Sequence, residues 1–139
     1  MIEVYSIDEL RRVLGNFDGS TGFVPTMGAL HSGHFSLIER SLSECGYTFV
    51  SIYLNPTQFD NVNDLKDYPD TLKDDLYELR ERKVNVVFMP SYTDLYPDDF
   101  SFLIEETLFS SQLCGAIRPG HYRGVLTVVM KLLNLLKPD

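Results

Sequence analysis

Apolar residues recur along this chain with two spacings, and the spacing indicates which element each segment forms. Runs that are almost wholly apolar, β-branched or aromatic predict strands covered on both faces; they lie at 22–24, 48–54 and 84–89. Apolar residues about one helical turn apart predict helices; these segments are 7–14, 33–44, 71–79 and 125–136. We also expect a loop at 60–64, a loop with one helical turn at 92–97, and a short strand over 100–105.

The order of these elements predicts the fold class. Over the first ninety residues, helices and strands alternate, beginning with a helix. Strands that alternate with helices favour a parallel sheet with right-handed crossover connections. A length of 139 residues suits one domain with a real core. We therefore expect an α/β fold, a Rossmann-like three-layer α/β/α arrangement with a parallel sheet, formed by residues 1–139 as one domain.

Composition and charge exclude several classes of protein. The formal net charge is −8 and no basic stripe compensates it, which argues against general nucleic-acid binding. No apolar run approaches the roughly 20 residues of a membrane span, and the first residues do not form a signal peptide. Cys45 and Cys114 form no C-x-x-C pair, so we expect a reduced, cytoplasmic protein in which Cys114 is a packing residue.

The chemistry is concentrated where the strand at 22–24 gives way to the helix at 33–44. There the chain reads His31, Ser32, Gly33, His34. A helix N-terminus favours phosphate, and histidines three residues apart can share one face of its first turn. Gly33 removes a Cβ where a phosphate would approach the backbone. The alternative interpretation is two surface histidines beside a helix cap.

Two further clusters of polar residues carry both a functional and a structural interpretation. Arg118, His121 and Arg123 form the densest cationic cluster, in a glycine-rich segment before the last helix. They are either a wall of a substrate or phosphate site or a loop tied down by salt bridges. The acidic residues of the second cluster are interpreted as a solvated loop and helix start; they are Asp64, Asp67, Asp70, Asp74 and Asp75.

Four motifs, in order and at matching spacing, identify a resemblance over nearly the whole chain. They are VPTMGALHSGH at 24–34, NPTQF at 55–59 with DYP at 67–69, MP at 89–90 with LYP at 95–97, and CG at 114–115 with RPGHYRGV at 118–125. The chain resembles the pantothenate synthetase (pantoate–β-alanine ligase) family. Its His-x-Gly-His signature is that of the nucleotidyltransferase superfamily, which also contains class I aminoacyl-tRNA synthetases.

The resemblance implies a two-step ligation. The pantoate carboxylate attacks the α-phosphorus of ATP, giving pantoyl adenylate and pyrophosphate, and the β-alanine amine then displaces AMP to give pantothenate. It implies ATP with Mg²⁺ as a substrate complex, no tightly bound cofactor, and no metal site in the protein. It assigns a catalytic proton-donor role to His34, with His31 beside it. The residues that it implies for ATP binding are Met27, Gly28, Ala29, Leu30, His31, Ser32, Gly33 and His34.

The resemblance also implies a pantoate site at the carboxyl ends of the strands, where ligands of open α/β sheets bind. Gln58 would bind pantoate through its amide, although a capping glutamine is the structural alternative. Pro25, Thr26 and Met27 end the preceding strand and would line the same site. Val128 and Val129 are candidates for packing against the pantoate methyl groups, with plain core as the alternative.

The departure from the family pattern is length, since family members are about twice as long. We therefore expect a fragment that carries the substrate-binding half, inactive by itself, and a homodimer that binds neither nucleic acid nor membrane. Two alternatives remain. One is a complete small nucleotidyltransferase, although those place the motif nearer the N-terminus and carry a Ser/Thr-rich phosphate loop near the C-terminus. The other is a module that binds pantoate or ATP without catalysis.

Overall fold

Four parallel strands form one sheet at the centre of the molecule, in the computed structural model that describes residues 1–59, 65–112 and 114–139. The strands are β1 (Ile2–Val4), β2 (Thr21–Thr26), β3 (Tyr47–Ile52) and β4 (Val86–Phe88). Their spatial order is β1-β4-β3-β2, and the register pairs Val24 with Val50 and Phe49 with Val86. The predicted parallel α/β sheet is confirmed. The sequence pattern missed β1, because three residues are too few to establish an alternation.

Six α-helices with bounds inside the described residues connect and follow the strands. They are α1 (Ile7–Leu14), α2 (Ser32–Glu44), α3 (Leu72–Glu81), α4 (Tyr92–Leu95), α5 (Cys114–Ile117) and α6 (His121–Leu136), and a 3₁₀ helix spans Pro56–Gln58. The four predicted helices are therefore present, and α4 supplies the single helical turn expected at 92–97. The predicted loop at 60–64 and the side chain of Cys114 lie outside what the structure describes.

Two predictions about the second half of the chain are wrong. The last helix begins at His121, four residues before the expected start at 125, because its first turn is polar and lacks the apolar spacing. Residues 100–105 form no strand. The Asp98 carboxylate accepts the Phe102 N–H at 2.8 Å, and the Thr127 hydroxyl accepts the Ile104 N–H at 2.9 Å. Side chains rather than a neighbouring strand therefore satisfy the backbone of this segment.

The sheet separates two apolar layers, as its alternating side chains require. Phe49 faces the layer that contains Leu10 of α1 and Val128 and Leu132 of α6. Val50, the next residue, faces the layer that contains Ile38 of α2 and Leu79 of α3. The arrangement is thus three-layered, with the carboxyl ends of β2 and β3 on the same edge of the sheet. None of the helices in the described residues has the length and apolar character that crossing a membrane requires.

Candidate active site

The loop between β2 and α2 places two histidines on the first helical turn. His31 is the N-cap of α2, and its Nδ1 accepts the Gly33 N–H at 3.1 Å. His34 reaches back, so that its Nδ1 accepts the His31 N–H at 3.4 Å. The ring centroids are 4.1 Å apart. The expectation that both rings share this turn is confirmed, and they form a reciprocal capping box built from histidines.

This hydrogen bonding decides which ring nitrogens can act on a ligand. Because Nδ1 of His31 and of His34 each accepts a backbone N–H, a neutral ring carries its proton on Nε2. Burial lowers the pKa of His34 below its usual 6.5, and the neighbouring His31 lowers it further, while the Asp75 carboxylate opposes both effects. His34 is therefore a neutral Nε2–H donor at neutral pH.

An aspartate from α3 holds the loop that precedes the histidines. Asp75 is buried, and its two carboxylate oxygens accept the N–H groups of Ala29 and Leu30, each at 2.9 Å. The interpretation of the acidic run as solvated is therefore wrong for Asp75, although Asp67, Asp70 and Asp74 are exposed; Asp64 lies outside the described residues. The signal that was available is spacing, since Asp75 shares a face of α3 with the apolar Leu72 and Leu79.

The 3₁₀ helix after β3 carries Gln58 into a buried hydrogen-bond network. Asn55, fully buried, donates from Nδ2 to the Gln58 Oε1 at 3.1 Å and to the Gly124 carbonyl at 3.3 Å. The Tyr96 hydroxyl donates to the Asn55 Oδ1 at 3.0 Å. Asn55 thereby fixes which end of the Gln58 amide is the oxygen, so the other end is an NH₂ donor. Sequence analysis assigned no role to Asn55 or Tyr96, although both lie in the quoted motifs.

A cavity of about 320 Å³ brings half of the predicted site residues together. It lies between the carboxyl ends of β2 and β3 and the apolar face of α6. The predicted residues that line it are Pro25, Thr26, Met27, Gly28, His34, Gln58, Val128 and Val129. Those that sequence analysis missed are Tyr53, Tyr68, Val125 and Leu132. An apolar wall with a few convergent polar groups is typical of a small-molecule site.

Val128 and Val129 satisfy both of their interpretations. Val128 is 6% exposed and belongs to the core, and Val129 packs against that core. Both also line the cavity, because α6 presents one broad apolar face to the sheet and to the empty space beside it. Core packing and ligand contact are therefore not exclusive at these positions.

The predicted cationic cluster is divided by the structure. Arg118 and His121 line an adjoining cavity of about 350 Å³, together with Met27, Gln58 and Tyr68, and the His121 Nδ1 lies 2.8 Å from the Gln58 carbonyl oxygen. Arg123 lines neither cavity. Its guanidinium lies 4.0 Å from the Glu105 carboxylate. For Arg123 the structure therefore favours the alternative interpretation, a segment tied down by salt bridges.

The remaining predicted nucleotide-binding residues stand outside the main cavity. Ala29 lines a third cavity of about 330 Å³ on the α3 side of the loop, and Leu30 packs against the apolar layer beneath α2. His31, Ser32 and Gly33 are exposed. Within the described residues, no three His, Cys, Asp or Glu side chains are grouped so that they could hold a metal ion.

Comparison with known proteins identifies the family to which this fold and site belong. The sequence profile of the family described as Pantoate-beta-alanine ligase matches residues 3–139. The chain belongs to the pantoate–β-alanine ligase family. The profile spans every motif that lines the two adjoining cavities, so the resemblance based on those motifs is confirmed.

Individual relatives support the assignment to the ligase family. Pantothenate synthetase from Thermosipho africanus is 54% identical over 117 residues, covering 84% of this chain and 42% of the relative. Pantothenate synthetase from Pseudothermotoga lettingae is 46% identical over 141 residues, covering 100% of this chain and 50% of the relative. The chain thus spans about half the length of the curated relatives that it matches.

Solved structures of family members have the same fold. A pantoate–β-alanine ligase from Francisella tularensis, described as complexed with beta-gamma ATP and β-alanine, has a TM-score of 0.96 and 45% identity, covering 100% of this chain and 54% of that one. Pantothenate synthetase from Thermus thermophilus has a TM-score of 0.91 and 38% identity, covering 99% of this chain and 50% of that one. The predicted fold class is therefore confirmed by both.

Proposed function

We propose that this protein serves the ATP-dependent joining of pantoate and β-alanine to form pantothenate, through a pantoyl-adenylate intermediate. Membership of the ligase family supports the reaction class, and the ligand names given for the Francisella tularensis relative support ATP and β-alanine as substrates. The observation that carries the proposal is that His34, Met27 and Gln58 line one and the same cavity at the carboxyl end of the sheet.

We assign ATP to the loop and first turn before α2. His34 would donate its Nε2–H to a phosphate oxygen, and His31 would donate from the adjoining exposed ring. The N–H groups of Ala29 and Leu30 already bind Asp75, so these two residues would contact the nucleotide by shape rather than by donating hydrogen bonds. The Gly33 N–H already donates to the His31 Nδ1, so Gly33 would contact the nucleotide by shape as well. Ser32, at the exposed N-terminus of α2, supplies a remaining backbone donor.

We assign pantoate to the main cavity. The NH₂ group of Gln58 suits a carboxylate or hydroxyl oxygen, and Asn55 prevents the amide from turning its oxygen toward the ligand. Met27, Val128 and Val129 provide apolar surface for the two methyl groups, while Pro25 and Thr26 close the end formed by β2. The Thr26 hydroxyl donates to the Ser51 carbonyl at 2.8 Å, so Thr26 acts mainly by shape.

The chemistry then follows from position. A pantoate carboxylate oxygen attacks the α-phosphorus as the bond to pyrophosphate breaks, and the histidine N–H groups stabilise the negative charge that spreads over the phosphate oxygens. In the second step the β-alanine amine attacks the activated carbonyl, AMP leaves with the bonding electron pair, and the amine loses a proton. Mg²⁺ would enter with ATP as part of the substrate. Arg118 and His121, at the adjoining cavity, would form a wall for the anionic substrates.

We also propose a homodimer that works in the cytoplasm, where ATP is supplied. Among the described residues between positions 102 and 117, four large apolar side chains are at least 70% exposed; they are Phe102, Leu108, Phe109 and Ile117. Exposed apolar surface of this kind typically marks a protein–protein interface. Sedimentation velocity should show a dimer that Phe109→Glu converts to monomer, and a wild-type monomer at every concentration would overturn this part of the proposal.

Calorimetric titration tests the assignment of the two ligands. We expect the chain to bind pantoate and Mg-ATP, with Gln58→Ala weakening pantoate and His34→Ala weakening ATP. Gln112→Ala is the matched control, because Gln112 is exposed and lines neither of the two adjoining cavities. Absence of binding by a folded wild-type chain, established by circular dichroism, would overturn the proposal. Binding without pantothenate formation from all three substrates would favour a non-catalytic binding module.

A further inference from the structure

Asp75 is a buried carboxylate whose surroundings are unusual. It is 4% exposed, and none of the ion pairs found between described residues includes it. A carboxylate removed from water without a cation is strongly unfavourable unless hydrogen bonds replace its hydration. The residues around Asp75 must therefore supply those hydrogen bonds.

Three donors meet the two carboxylate oxygens. Oδ2 accepts the Ala29 N–H at 2.9 Å and the Thr71 hydroxyl at 3.0 Å, and Oδ1 accepts the Leu30 N–H at 2.9 Å. The Thr71 Oγ1 also lies 3.1 Å from the Ala29 nitrogen. Thr71 is the N-cap residue of α3 but makes no side-chain capping bond to that helix. Its hydroxyl is directed to the loop instead.

The loop adopts a conformation that needs such support. Gly28 has φ +84° and Ala29 has φ +51°, so two successive residues occupy the left-handed region, which is unfavourable for alanine. Successive N–H groups in a turn of this kind converge into a concavity that binds an anion. Here the anion is part of the protein, because the Asp75 carboxylate occupies the concavity.

The loop ends where the histidine pair begins. Leu30 directly precedes His31, whose Nδ1 and N–H make both hydrogen bonds of the capping box. Fixing the Leu30 N–H therefore fixes the start of α2 and the place of both rings. We propose that Asp75 is a positioning residue of this site, acting from α3 through the Ala29–Leu30 backbone on His31 and His34. The proposal rests on the proposed function for its effect on ATP, and on the structure alone for its effect on the loop.

Nuclear magnetic resonance of the Asp75→Asn variant tests the proposal. Asparagine keeps the side-chain volume but turns one acceptor oxygen into an NH₂ group that faces a backbone N–H. We expect the downfield amide signals of Ala29 and Leu30 to move upfield and the ring signals of His31 and His34 to shift. ATP affinity should fall about tenfold or more, since small misplacements of contact groups are costly. Glu81→Gln, exposed on the same helix, removes an equal charge and is the matched control.

The outcomes separate this proposal from the proposed function. Unchanged loop and ring signals in a folded Asp75→Asn variant would overturn the positioning role. Moved signals in a chain whose wild type binds no ATP would support the positioning role and overturn the function. If Asp75→Asn does not fold, the Thr71→Val variant decides, because it removes one hydrogen-bond donor to Asp75 and keeps the side-chain shape. We expect smaller shifts of the same amide and ring signals. Complete absence of these shifts would overturn the positioning role.

Discussion

Gly124 tests whether close packing of α6 on the 3₁₀ helix positions Gln58. A Cβ at Gly124 would lie 2.4 Å from the Thr57 carbonyl oxygen and 2.7 Å from the Gln58 Cα. These atoms are backbone, so a rotating side chain cannot relieve the overlap. The substitution Gly124→Ala must therefore push α6 away from the 3₁₀ helix or displace Gln58 itself.

The change in the free energy of unfolding of Gly124→Ala is the difference between an overpacking cost and a gain in helix propensity. Overpacking in a buried contact costs about 1–3 kcal/mol. Alanine in a helix recovers up to about 1 kcal/mol relative to glycine. We expect the free energy of unfolding to fall by about 1–2 kcal/mol, which for a chain of this size lowers the Tm by about 3–7 °C. Pantoate affinity should fall about tenfold or more, because the Gly124 carbonyl and Gln58 share Asn55 as their hydrogen-bond donor.

Urea unfolding and pantoate titration of the same protein samples measure the two effects. Gly15→Ala is the matched control, because Gly15 has φ −65° and its Cβ would meet only ordinary contacts at 3.6 Å and beyond. That variant should be as stable as wild type, or more stable by up to about 1 kcal/mol. A Gly124→Ala variant with wild-type stability and wild-type pantoate affinity would refute the reasoning.

Three further predictions concern the core and a partly buried carboxylate. Tyr53→Phe should raise the free energy of unfolding, measured in urea, by about 1 kcal/mol, because the buried hydroxyl has no hydrogen-bond partner among the described residues. A lower free energy of unfolding in this variant would show that the hydroxyl does have a partner. Leu132→Ala should lower that free energy by about 2–5 kcal/mol, whereas Leu133→Ala, 38% exposed, should cost far less; equal losses would contradict the assigned face of α6. Hydrogen bonds, the strongest of them from the Phe102 N–H, lower the pKa of Asp98 from 3.8 to about 2. The Asp98 carboxylate therefore stabilises the fold above pH 4 and loses that contribution as the pH falls toward 2. The deficit of Asp98→Asn in urea midpoint should therefore be constant above pH 4 and shrink below it, and a deficit independent of pH would exclude this linkage.

Local pattern determined the sheet and the motif because both depend on residues that are close in sequence. Three of the four strands and the four longer helices follow from apolar spacing within single segments. The His31–His34 pair follows from its own spacing, because residues three positions apart on a helix are neighbours on its surface. Several of the predicted residues in the main cavity follow the ends of β2 and β3, because the carboxyl ends of parallel strands lie at the same edge of a sheet.

Only the tertiary structure decided which polar residues serve the loop and which face water. Asp75 and Asp74 are adjacent in an acidic run, yet one is buried against Ala29 and the other is exposed, because that outcome depends on how α3 docks beside a loop about 45 residues earlier. Likewise, Asn55 orients Gln58 through the carbonyl of Gly124, 69 positions away. Hydrogen bonds between distant segments leave no periodicity in the sequence, so spacing could identify the chemistry of this site but not the residues that hold it in place.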